Sequence, residues 1–86
     1  MKKQKIIAKI TEIRDKRTHC ECSRAKVVEK AYFDRIIKEI SSLPEDSDPI
    51  PFLQREQTAL QINNDDLRIR YNAYGYAIMV CKNYAE

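Results

Sequence analysis

The sequence predicts a mainly α fold: a small bundle of three to four helices around a central helix over 23–43. Three observations carry that expectation. The 86 residues include one glycine, whereas hairpin-rich folds usually need several for turns with positive φ. Residues 23–43 hold a long apolar stripe at helical spacing. The chain is 34% charged, with Lys, Arg and Glu, good helix formers, spread along it. The alternative is an α+β fold, with one long helix packed on an antiparallel sheet and a hairpin at 58–73. At this length residues 1–86 make a single small domain.

Residues 3–17 place Ile6, Ile10 and Ile13 at helical spacing, with Ile7 beside them. Glu12 and Lys16 add an i,i+4 pair. A strand rich in β-branched residues is the competing reading, and the many Lys, Arg and Glu positions favour the helix. Thr18 to Cys22 connects two patterns of different phase.

Ser23 is a good N-cap for the central helix. Lys26 stands where a capping box wants Glu or Gln. Tyr32, Phe33, Ile36, Ile37, Ile40 and Leu43 share one side, Val28 flanks it, and Val27 and Ala31 lie outside it. An apolar arc this wide predicts contact from two directions. Asp34 and Lys38 are spaced to pair. Pro44 ends the helix, because the residue before proline is pushed out of α geometry.

Pro44 to Pro51 holds three prolines and three acids, a stiff acidic turn. The prolines and the missing Gly and terminal Glu separate it from a calcium loop. Pro51 suits the first turn of a following helix. Residues 52–62 read as that helix, with Phe52, Ala59 and Ile62 near one face and Leu53 and Leu60 near another. Asn63 and Asn64 can stop it, and Asp65 or Asp66 can cap the next.

The last stretch reads two ways. Leu67, Tyr71, Tyr74, Ile78, Cys81 and Ala85 follow a heptad seam. Leu67 to Ala73 also alternates as a strand should, and a hairpin through 63–66 would join it to Leu60 and Ile62. The helix must accept Gly75, at about 1 kcal/mol relative to Ala. The scarcity of turn residues decides for the helix.

The net charge is +3 but uneven. Residues 1–30 hold ten Lys/Arg against four Asp/Glu, and residues 31–86 hold six against nine. The basic third, with Lys2, Lys3, Lys5, Arg14, Lys16, Arg17, Arg24 and Lys26, fits a nucleic-acid or nucleotide partner, or an ordinary solvated face. Tyr71, Tyr74, Tyr76 and Tyr84 with Arg68, Arg70 and Lys82 make an aromatic-basic C-terminal region. Its tyrosines could be core residues, protein-interface anchors or stacking platforms.

His19, Cys20 and Cys22, with Cys81 as a fourth group, are the only candidate metal ligands. Adjacent His19-Cys20 and Cys-x-Cys spacing fit a zinc tetrahedron poorly, so no metal and no cofactor is expected. A cysteine nucleophile would need an orienting base, and no recognisable motif surrounds the pair. No Gly-rich phosphate loop is present. Enzymatic function is not expected.

Lys2, Lys3 and Lys5 resemble the start of a secretory leader, but the apolar run stops at Lys9. No stretch approaches a membrane span of roughly 20 apolar residues. Three cysteines are a poor disulfide framework. Together these lead to a non-enzymatic cytosolic binding protein of the adaptor, regulator or inhibitor kind. It would act by protein–protein contact, and a chain this short is expected to self-associate. The alternative is a nucleic-acid or nucleotide binder.

Overall fold

The computed structural model describes residues 2–19, 23–44 and 46–84. Among them all regular structure is helical: α1 (Lys2–Thr18), α2 (Arg24–Ser42), α3 (Pro49–Ala59) and α4 (Asp65–Asn83). The hairpin at 58–73 does not form. The Asn64 side chain accepts from Leu67 N at 2.9 Å, which starts a helix where the turn would have been. Once helical, α4 buries Ala73, Tyr74, Ala77, Ile78, Val80 and Cys81 on one side, more apolar surface than the short alternating stretch could cover.

Side-chain contacts fix the topology. Lys3 at the start of α1 donates to the carbonyls of Ser41 and Leu43 at the end of α2. Lys26, near the start of α2, donates to the Arg17 carbonyl at the end of α1, at 2.7 Å. The two helices therefore run antiparallel, and each lends a lysine to the other's unsatisfied C-terminal carbonyls. Arg24 meets Asp66, and Tyr74 meets Glu39, so α2 and α4 run parallel, with α3 as the return between them. Gln57 bonds the Tyr71 carbonyl at 3.1 Å, near the start of α4.

α2 is contacted from two directions, by α1 and α4, and α4 packs on all three other helices. Ile6, Ile10, Phe33, Ile36, Ile40 and Leu53 join the α4 residues in one core. Burying each large apolar side chain contributes about 1.5–3 kcal/mol. The shortest dimension is 20 Å, about two helix diameters, so every helix keeps an outer face.

Several local expectations shift. Asp34 pairs not with Lys38 but with Arg14 of α1, at 2.6 Å, because the packed neighbour offers a fixed guanidinium. Helix α3 starts at Pro49, capped by Asp48, whose side chain accepts from Ile50 N at 3.0 Å. Pro51 thus lies inside the first turn, where a missing amide is harmless. The helix also ends early, at Ala59, with Leu60 as C-cap, and leaves Ile62 41% exposed. On α4 the buried stripe is rotated from the heptad seam. Ala73, Ala77 and Val80 replace Tyr71, which is 40% exposed. Ala85 lies outside the described residues.

Candidate functional site

Six of the eight basic candidates in the first third are engaged within the chain. Arg14 holds Asp15 and Asp34. Lys16 holds Glu12 at 3.3 Å. Arg17 bonds buried Glu29 and the Tyr76 hydroxyl. Arg24 forms a two-pronged pair with Asp66, at 2.8 and 2.7 Å. Lys3 and Lys26 cap helix ends. Lys5 is exposed, and the Lys2 side chain lies outside what is described. The bonds from Arg24 hold the Asp66 carboxyl below its ordinary range, as expected where hydrogen bonding favours the charged form. Much of the apparent excess of positive charge is thus spent on joining helices.

The aromatic-basic group divides. Tyr74 is 0% exposed, and so is a core residue rather than an interface anchor. Its buried hydroxyl titrates above the ordinary tyrosine value, chiefly because burial penalises the anion. It donates to Glu39 at 3.4 Å and receives from Arg70 at 3.2 Å. Arg70 lies between the rings of Tyr32 and Tyr74, 5.7 and 5.6 Å from their centroids, within cation–π range. Its Nε is buried without a partner. Arg70 therefore faces inward, between α2 and α4.

Tyr71, Tyr76 and Arg68 remain at the surface. Tyr76 is half-buried, with Arg17 stacked 4.6 Å from its ring centroid. Beside it opens a cleft of about 430 Å³ between Arg17 of α1, Gln57 of α3 and the outer face of α4. Tyr71, Asn72, Tyr76 and Met79 form its α4 wall, with Gly75 between them. Met79 is 49% exposed.

Gly75 is the residue that the internal packing does not account for. A helix-interior glycine costs about 1 kcal/mol relative to Ala. A Cβ built here would meet only the Gln57 Nε2, at 3.5 Å, an ordinary contact. The fold has room for a side chain, and the sequence leaves a notch. A notch flanked one turn away by exposed Tyr71 and Met79 is suited to close approach by another backbone. The sequence showed Gly75 only as a cost to the helix. Met79 stands out in the sequence only within the apolar run 76–81, and Gln57 and Asn72 carry no signal, because the cleft exists only once three helices meet. Glu29, the buried partner of Arg17, was equally silent.

The metal and thiol candidates do not assemble among the described residues, which hold no cluster of three or more possible ligands. His19 is exposed, with Nδ1 3.2 Å from the Lys16 carbonyl. Cys81 is buried in the core, where desolvation pushes its thiol up to about 11. That is the opposite of an activated thiolate. Cys20 and Cys22 lie outside the described residues. No described helix is long and apolar enough to cross a membrane. Compared with known protein families, with curated proteins and with solved structures, the chain shows no match in any of the three.

Proposed function

We propose that this chain is a small non-enzymatic binding protein that acts by protein–protein contact through the outward face of α4. The observation that carries the reading is Gly75, a stability-lowering residue whose only near neighbour from another helix is the Gln57 side chain, at ordinary contact distance, between exposed Tyr71 and Met79. Tyrosine and methionine suit this role. Tyr presents a large contact area with few rotatable bonds, and Met adapts to irregular partners. A cytosolic setting belongs to the same proposal and rests on the odd cysteine count. The expectation of self-association rests on the short chain, the two-sided apolar stripe of α2 and the apolar run 76–81. Phe33, Ile36 and Ile40 are closed over by α1 and α4, which removes the second of these grounds.

The test is partner capture from source cells by the wild-type chain and by face variants, followed by binding measurements on the purified partner. Gly75→Leu and Met79→Glu are expected to lose it. Val27→Glu, on the outer side of α2 and 52% exposed in the wild type, is expected to keep it. A partner held equally by all variants contradicts the reading. So does capture that disappears on nuclease treatment, which would point to nucleic acid.

A further inference from the structure

The charges along the α4 face narrow what can occupy it; this step rests on the proposed reading of that face as a contact surface. Arg68, Gly75 and Lys82 recur at seven-residue intervals, so they run nearly in line along the outward side of the helix. Arg68 and Lys82 are both exposed, and among the described residues neither bonds a carboxylate. No carboxylate lines the cleft, and Arg17 at its edge is already held by Glu29. The face is therefore a mixed notch, apolar at Tyr71, Gly75 and Met79 and polar at Gln57 and Asn72. At each end is a cation that bonds no described carboxylate, the two about 21 Å apart along the helix.

We propose that the occupant is an acidic amphipathic helix of another protein, laid along α4. Its apolar row would sit over Gly75 between Tyr71 and Met79, and its carboxylates would reach Arg68 and Lys82. The i, i+4, i+8 row of Tyr71, Gly75 and Met79 is the groove geometry that receives the ridge of a second helix. The charges argue against a second copy of this chain. Pairing α4 with α4 antiparallel about Gly75 sets Arg68 against Lys82 at both ends. Pairing them parallel sets Arg68 against Arg68 and Lys82 against Lys82. Either arrangement brings like charges together beside a desolvated contact, whereas a helix with acidic ends meets opposite charge at both.

Selection from a displayed library of helical peptides tests this. The peptides share a fixed apolar row, their flanking positions vary among acidic, neutral and basic residues, and the full chain is the bait. Acidic flanks are expected to be enriched. Binding of selected peptides should weaken about tenfold or more in Gly75→Leu and Met79→Glu, as for a central contact residue. The double variant Arg68→Glu/Lys82→Glu should turn the preference toward basic flanks, and because both positions are solvent-exposed it should still fold. Circular dichroism checks each variant. Peptides that need Gly75 and Met79 but show no acidic preference overturn this inference and leave the face reading standing. A dimer of the chain that Met79→Glu dissociates does the same. Peptides indifferent to both face variants, or no binders at all, overturn the inference and the face reading together.

Discussion

Gly75 and Cys81 are two small residues of α4, one partly exposed and one buried, and they give different predictions. At Gly75 the helix forgoes stability, so Gly75→Ala should raise it by about 0.5–1 kcal/mol, read as a higher denaturant midpoint at unchanged slope. A loss of stability would mean that the Gln57 side chain does not accommodate the added methyl. At Cys81, burial keeps the thiol protonated, with its pKa raised from 9.0 to about 11. A group whose folded pKa is raised contributes stability below its unfolded value and loses it as pH rises through the folded one. That contribution should therefore be intact below pH 9 and fade toward pH 11. In a Cys20→Ser/Cys22→Ser background the one remaining thiol should react with a thiol reagent at neutral pH only after denaturation. Prompt labelling of the folded protein would contradict the burial of Cys81. The single glycine was visible in the sequence as an anomaly, but its meaning was not, since a notch is defined by neighbours from other helices.

Helix starts were partly legible because they depend on local chemistry. Ser23 caps α2 as expected, accepting from Lys26 N at 3.3 Å. The cap of α4 is Asn64 rather than the expected Asp65 or Asp66; those two carboxylates lie in the first turn, where negative charge also favours a helix N-terminus. Ser23→Ala and Asn64→Ala should each lower stability by about 1 kcal/mol, measurable by thermal melting. The C-terminal capping by lysines across the α1–α2 pair was not legible, because Lys3 lies 38 residues from Ser41 in the chain. The same limit explains Asp34. An i,i+4 partner can be read from spacing, but Arg14 of a neighbouring helix wins once the bundle forms. The shift of the α4 stripe has a geometric cause. α4 packs on three helices rather than along one seam, so its buried arc widens to take in Ala73, Ala77 and Val80, while Tyr71 at the arc's edge is left 40% exposed.

Across the whole molecule, the fold class followed from scarcity of turn residues and from the α2 stripe, and both survive in the bundle. Phe33 is 0% exposed and packs against Tyr76, with ring centroids 6.2 Å apart. Phe33→Ala should cost about 3–5 kcal/mol. Set against a domain stability of about 5–15 kcal/mol, that is a large share, and the denaturant midpoint should fall steeply. The basic N-terminal third shows what charge counts alone leave out: Arg14, Arg17 and Arg24 each hold a carboxylate on another helix. Arg68 and Lys82, the cations of the proposed contact face, lie in the acidic remainder. A residue-resolved contact map is the most direct measurement of the central claim: NMR shifts of the labelled chain titrated with its captured partner. The account predicts that the largest changes fall on Tyr71, Gly75 and Met79 and extend to Arg68 and Lys82, while Val27 and Lys38 stay still. Changes centred on the outer surface of α1 or α2 would contradict it.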